Sequence, residues 1–171
     1  GGSQPPKAVF CAEPGPGLVR LFQIRDLGDR PVPTYVPADL VTKFCTSNDV
    51  LVGRYGASVG KVFRGRDGAY NVALVKVLFE RSVLSTAFVF HLLQSRFFQT
   101  PLSSASRSAQ AGFNKRDIYS IWLPLPPLIE QHRIVAKVDE LMARIDELEE
   151  AQVRREQIRI QTRQSSLHAL V

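Results

Sequence analysis

Residues 53–61 read Gly-Arg-Tyr-Gly-Ala-Ser-Val-Gly-Lys. Glycines let backbone N–H groups approach an anion that a side chain would hold off, and the closing lysine adds positive charge. The chemistry suggested is therefore phosphate binding. It is not that of a nucleotide-hydrolysing phosphate loop. Such a loop needs about four residues between its glycines and a Ser or Thr after the lysine. Here three residues separate Gly56 from Gly60, and Val62 follows Lys61. Nor does a helix open there, since Val62-Phe63 continues as strand. Two readings remain. One is a glycine-bent hairpin with no ligand. The other is a hairpin whose backbone comes close to a phosphate chain, flanked by Arg54, Lys61, Arg64 and Arg66. A second stretch, Ser103 to Asn114, carries Arg107, Gln110 and Asn114. Arginine suits guanine, and glutamine or asparagine suits adenine, in the major groove of DNA. A solvated surface loop would have the same composition.

No catalytic set is visible. The chain lacks an Asp/Asn-Pro-Pro-aromatic motif of amino-methyltransferases and a glycine-rich strand-to-helix motif for S-adenosylmethionine. No Ser/His/Asp spacing supports nucleophilic catalysis. His91, His132 and His168 lie far apart, and Cys11 and Cys45 form no CxxC pair. No metal and no cofactor are expected. Two reduced, buried thiols fit a cytosolic protein.

At 171 residues and 44 % hydrophobic content the chain can build one domain plus an appendage. No run of apolar residues is long enough for a membrane helix, and the N-terminus shows no signal-peptide pattern. Gly1-Gly2-Ser3 reads as a tag remnant, which would put the natural start upstream. The net charge is +6, but it is unevenly placed. Residues 1–126 hold 15 Lys and Arg against 8 Asp and Glu, a net +7, whereas residues 127–171 hold 7 against 8, a net −1. A basic head suits a polyanion, most often nucleic acid.

These residues need elements to hold them. Strands are expected at Leu18–Ile24, Asp49–Val52, Lys61–Phe63 and Tyr70–Leu78, with a last one at Ile118–Leu123. Asp26–Pro33 reads as a loop and Gly65–Gly68 as a turn. The apolar spacing of Leu84, Phe88, Leu92 and Phe98 predicts one helix over 83–99, and 103–112 reads as a loop. The class is α+β: a mixed, strand-rich globular head followed by a long C-terminal helix. The helix starts near Pro127, where Pro126-Pro127 stop any preceding helix. Ile134, Val138, Leu141, Ile145 and Leu148 step by 4, 3, 4 and 3, an a/d seam for a coiled coil. Val153, Gln157, Ile160, Gln164 and Leu167 resume the steps on a displaced register. Asp146, Glu147, Glu149 and Glu150, beside Arg144, Arg154 and Arg155, read as a solvated flank.

Residues 123–149, Leu-Pro-Leu-Pro-Pro-Leu-Ile-Glu-Gln-His-Arg-Ile-Val onward, resemble the conserved segment after a target recognition domain in DNA specificity (S) subunits of type I restriction–modification systems. Asp49 to Lys61 followed by Tyr70-Asn71-Val72-Ala73-Leu74 resembles the core of that recognition domain. The resemblance covers about residues 18–165. It implies a target recognition domain over 1–126 and a conserved-region helix over 127–171 that serves as spacer, dimer element and methyltransferase-subunit dock. The implied function is non-catalytic, sequence-specific recognition of double-stranded DNA. The methyltransferase subunits, and through them the restriction subunit, would be directed to a bipartite site. The DNA-contacting set is then Arg25, Arg54, Tyr55, Lys61, Arg64, Arg66, Asn71, Arg107, Gln110 and Asn114. Family members usually carry two such units. One unit implies a half-length subunit or a fragment, which regains the second half by homodimerisation through the helix. Two alternatives stay open: the specificity domain of a fused restriction–methylation enzyme, and a coiled-coil adaptor with a basic head.

Overall fold

A computed structural model of the chain describes residues 1–27, 31–106 and 112–168, with the side chains of 105, 106, 115 and 162–168 left aside. Two compact units emerge. The first is Gly1–Gln131, and the second begins at His132.

Among the described residues the first unit holds seven short strands. They are β1 (Leu18–Phe22), β2 (Tyr35–Pro37), β3 (Phe44–Cys45), β4 (Val50–Gly53), β5 (Val62–Arg64), β6 (Gly68–Tyr70) and β7 (Leu74–Lys76). One sheet has the order β2-β1-β6-β3, in which β1 and β6 run parallel and the other pairs antiparallel. The other is antiparallel, β5-β4-β7. Strand β4 is why the sequence shows an unbroken Val-Leu-Val run. Successive side chains leave a strand on opposite faces. Val50 and Val52 enter one cluster with Val89, Leu93, Phe98, Leu102 and Phe113, and Leu51 enters another with Phe22, Cys45, Tyr70 and Leu74. Both faces are buried, so neither can alternate with polar residues.

The expected strand over Tyr70–Leu78 is two strands in two sheets. Asn71 breaks it: its side-chain oxygen accepts from the Ala73 N–H at 3.1 Å, and its carbonyl accepts from the Leu74 N–H at 3.0 Å. Asparagine favours this kind of local turn over a ladder. The strand expected to run to Ile24 stops at Phe22, and a 3₁₀ turn, Ile24–Leu27, follows. That turn carries Asp26, fully buried, which accepts from the N–H groups of Gln23 and Val32 and lies 3.5 Å from Arg20. Strands β2 and β3 lacked any readable alternation.

The single helix expected over 83–99 is α1 (Thr86–Gln94) and α2 (Arg96–Ser106). Ser95 separates them. Its backbone is extended, and its hydroxyl donates to the Leu92 carbonyl at 2.6 Å. Serine competing for a helical carbonyl ends a turn that apolar spacing alone would continue. Helix α2 also runs into the stretch read as loop. The strand expected at Ile118–Leu123 is instead α3 (Lys115–Tyr119) followed by irregular chain. Asn114 and Asp117 form a capping box, each side chain accepting from the other's backbone N–H. Two orphan donors are satisfied at once, and this outweighs the β-leaning Ile and Tyr.

Ser3 is integrated in the fold. Its N–H donates to the Tyr70 carbonyl at 2.8 Å, and its hydroxyl accepts from the N–H groups of Thr42 and Lys43. Of the two thiols expected to be buried, Cys45 is and Cys11 is exposed. Burial raises the Cys45 pKa, and its thiol donates to the Arg66 carbonyl at 3.1 Å.

Helix α4 (Leu128–His168) starts after Pro127, whose carbonyl accepts from the N–H groups of Glu130 and Gln131. At 41 residues it is about 62 Å long at the standard rise. Ion pairs run along it, Lys137–Glu140 at 2.9 Å and Arg144–Glu140 at 2.6 Å. Exposed pairs of this kind contribute only a few tenths of a kcal/mol each, about 0.3–0.5. Its apolar stripe stays largely open: Leu141 and Ile145 are each 45 % exposed and Leu148 70 %. Among the described residues no helix is long and apolar enough to cross a membrane.

Candidate nucleic-acid interface

The glycine-rich segment joins β4 to β5 as a hairpin loop, as its strand-forming flanks predict. Two backbone bonds close it: Gly53 N–H to the Lys61 carbonyl at 2.8 Å, and Gly60 N–H to the Gly53 carbonyl at 2.9 Å. A Cβ on Gly53 would stand 2.1 Å from the Ser58 carbonyl oxygen, so only glycine allows this closure. Gly60 has φ +79°, a left-handed conformation suited to glycine. Helix α2 holds the loop from behind, with Gln99 donating to the Gly60 carbonyl at 2.8 Å.

The cations divide into fixed and extended ones. Arg54 is half-buried: its Nε donates to the Phe113 carbonyl at 3.2 Å, and its guanidinium lies 5.0 Å from the Tyr55 ring centroid. Tyr55 bridges to Gly112, so the chain just after the undescribed residues is seated on the hairpin. Arg64 lies 4.3 Å over the Phe90 ring, a cation–π contact that leaves the guanidinium at the surface. Lys61 and Arg66 are exposed, and among the described residues neither side chain makes an ion pair. Fixed and exposed cations at one hairpin make a positive surface with a glycine backbone at its centre.

The other expected contacts are placed differently. Arg107 and Gln110 lie outside the described residues. Asn114 is exposed, but its side-chain oxygen caps α3 through the Arg116 and Asp117 N–H groups. Asn71 is half-buried and its oxygen holds the β6–β7 turn. Arg25 belongs to the turn after β1, where it donates to the Thr34 hydroxyl at 3.3 Å. Arg54, Tyr55, Lys61 and Arg64 thus share the β4–β5 hairpin, Arg54 and Tyr55 meet the Gly112–Phe113 segment, and the Asn71 turn lies beside Arg54, whose N–H donates to the Ala73 carbonyl at 2.8 Å, whereas Arg25 lies on the turn after β1.

Three supporting residues escaped the sequence reading. Asp49 takes Thr46 N–H and hydroxyl, Lys76 Nζ at 3.4 Å and Arg81 at 3.0 Å, beside the start of β4. Burial pushes its pKa up, but the Thr46 hydrogen bonds and the Lys76 charge outweigh that and leave it lowered. Gln131 is fully buried. Asp117 completes the capping box, and the Asn-x-x-Asp spacing was legible. Asp49 and Gln131 lie in the two segments that carry the family resemblance, but residue type and spacing there do not show that either is buried. Trp122, within the strand expected over Ile118–Leu123, is 92 % exposed.

The chain belongs to the type I restriction modification DNA specificity domain family, whose model matches residues 41–157. It is 26 % identical over 162 residues to the type I restriction enzyme EcoBI specificity subunit of Escherichia coli, covering 86 % of this chain and 34 % of that protein. It is 38 % identical over 69 residues to the EcoDI specificity subunit of the same organism, covering 40 % of this chain and 16 % of that one. Among solved structures it superposes with a TM-score of 0.70 on a chain from a study of complex assembly and conformational transition of the type I R-M system. That match has 29 % identity, over 90 % of this chain and 37 % of the other. With the HsdS subunit from Thermoanaerobacter tengcongensis the TM-score is 0.65 at 27 % identity, over 88 % and 36 %. The chain spans about a third of the length of the three relatives matched over most of it. Specificity subunits are the recognition component of type I systems, not the catalytic one.

Proposed function

We propose that this chain recognises a specific sequence in double-stranded DNA through the β4–β5 hairpin face, without catalysing a reaction. The observation that carries this reading is the overlap of the family match with that face. Residues 41–157 take in the closed glycine loop, its cations and the Gly112–Asn114 segment seated on it. Arg54, Tyr55, Lys61, Arg64 and Arg66 hold the phosphate chain. Arg107, Gln110 and Asn114 read base edges. Phosphate contacts set register and base contacts discriminate sequence. Arg25 and Asn71 stay in the contact set as outer members.

Helix α4 pairs antiparallel with its copy through Ile134, Val138, Leu141, Ile145 and Leu148, so two heads read a bipartite target. Closed two-fold pairs are the commonest oligomers, and the open apolar stripe supports a coiled coil. Methyltransferase subunits, and through them a restriction subunit, are directed to the site by this assembly. Placement in the cytoplasm fits its exposed Cys11 thiol.

The test is selection from a pool of random duplexes by the purified chain, followed by methylation assays. One bipartite consensus is expected, with methylation only after methyltransferase subunits are added. Binding of S-adenosylmethionine by the chain alone, seen by calorimetry, would point to a fused restriction–methylation enzyme instead. Enrichment of no sequence, with no salt-dependent binding, would leave a coiled-coil adaptor.

A further inference from the structure

Helix α1 turns Phe88, Val89, Leu92 and Leu93 into the core. Its opposite row is Ala87, Phe90, His91 and Gln94, of which Gln94 is exposed and the others are half-buried. A helix face that meets only water usually carries charged side chains. This row carries no Lys, Arg, Asp or Glu. One cation from a neighbouring strand sits over it. Arg64 leaves β5 on the same face as Val62, which packs against the cluster of Val89 and Leu93, and its guanidinium lies 4.3 Å above the Phe90 ring. The Phe90 ring in turn meets the His91 ring edge to face at 5.5 Å. The outer row of α1 and the β4–β5 hairpin therefore form one surface.

The charge pattern says what that surface fits. Residues 50–66 and 81–116 contain no Asp or Glu, and hold four and five Lys and Arg respectively. All eight acids of residues 1–126 lie outside these two runs. The four that flank them are held by donors of the head: Asp49 by the Thr46 N–H, Asp67 by the Ser47 N–H, Glu80 by the Ser82 N–H and Asp117 by the Asn114 N–H. An acid-free surface with a neutral amide at its centre and Arg64 beside it matches a DNA groove, which has phosphates along its rim and base edges on its floor. The major groove, about 12 Å wide, admits one α-helix.

We propose that the outer row of α1 enters the major groove, where Gln94 is a specificity-determining residue for an adenine and Phe90 is a positioning residue that holds Arg64 on the phosphates. This rests on the reading of the β4–β5 hairpin as a DNA face. The Gln94 amide donates to adenine N7 and accepts from its N6 amino group. A ring under the guanidinium restrains it without occupying its N–H donors.

The probe is a pool of random duplexes, selected with the full chain, followed by salt titration on the duplex it prefers. Gln94→Ala is expected to reduce discrimination at one A·T pair about tenfold, with the other positions and the salt slope kept. Gln94→Glu exchanges donors for acceptors, so preference at that position should move to cytosine. Phe90→Leu keeps an apolar side chain but removes the ring. It should weaken binding to every duplex about threefold, the loss of one exposed cation–π contact, with base preferences kept. Phe90→Tyr keeps the ring and should bind as the unmodified chain does. In an Arg64→Ala background Phe90→Leu should have no further effect, a coupling that lost packing alone would not show. Gln94 is exposed, so its variants carry the test if Phe90→Leu fails to fold. A base profile unchanged by both Gln94 variants, in a chain that still selects a sequence, overturns the α1 reading alone. An undiminished effect of Phe90→Leu in the Arg64→Ala background overturns the positioning of Arg64. An unmodified chain that selects no sequence overturns the hairpin reading, and this inference with it.

Discussion

Asp49 and Lys61 show how two charged residues of the same head do opposite work. Asp49 is nearly buried and satisfied by four donors, so Asp49→Ala should cost about 1–2 kcal/mol through the lost Thr46 and Lys76 hydrogen bonds, measured by urea unfolding. Its folded pKa lies below the ordinary value. Its stabilisation is therefore present above about pH 4 and fades as the pH falls through the lower folded value. Asp49→Asn should flatten that acid limb of the stability curve. The Lys61 side chain is exposed and makes no ion pair among the described residues, while its backbone closes the hairpin loop. Lys61→Ala should leave the unfolding midpoint alone, weaken binding to every duplex, and lower the salt slope by about one unit. Gln110→Ala should instead relax preference at one base position, by roughly 1–3 kcal/mol for a bidentate contact. A changed sequence preference in Lys61→Ala with an unchanged salt slope would sink this division of labour. Asn114 is a mixed case, because its oxygen caps α3 and only its NH₂ is left to address DNA. A bidentate grip on adenine needs both groups, so Asn114 is restricted to acceptors.

At the scale of elements, buried apolar runs were legible and local competition was not. Strands β1, β4 and β5 and helix α4 follow from side-chain periodicity, and so does the hairpin loop, from its glycines. The breaks at Asn71 and Ser95 and the conversion of Ile118–Leu123 turn on single side chains bonding to nearby backbone, which periodicity does not register. The last case is open to a direct check. Trp122 is the chain's one tryptophan and 92 % exposed. Its emission should resemble free indole and be readily quenched by acrylamide, whereas a blue-shifted, protected band would count against the exposed, irregular segment. On α4, Leu141→Asp with Ile145→Asp should dissociate a pair, since a charge buried against the copy has no partner. Sedimentation of the unmodified chain as a monomer at tens of micromolar, a concentration where even a weak dimer forms, would remove the pairing.

For the whole molecule, the basic head and near-neutral tail were readable from charge counts; the sequence put the boundary at 126/127, and the compact units divide after Gln131. The roles of Asp49 and Gln131 were not, because beside the local bonds to Thr46 and Pro126 their other partners lie 27–32 and 46–48 residues away in sequence. Such bonds exist only once the head has closed. The same separation governs how the head can be made. Strand β6 lies between β1 and β3, and β1 pairs with it through Leu21↔Ala69 and Phe22↔Tyr70. During synthesis the first half of the head emerges with the inner edge of β1 bare and its apolar residues uncovered, until residue 70 has left the ribosome. Open edges of that kind recruit other chains. A nascent fragment ending at Gly60 should therefore sediment as aggregate, and one ending at Gln131 should be soluble with cooperative unfolding. The middle of the sheet is thus supplied late, and the order of manufacture makes the head all-or-nothing.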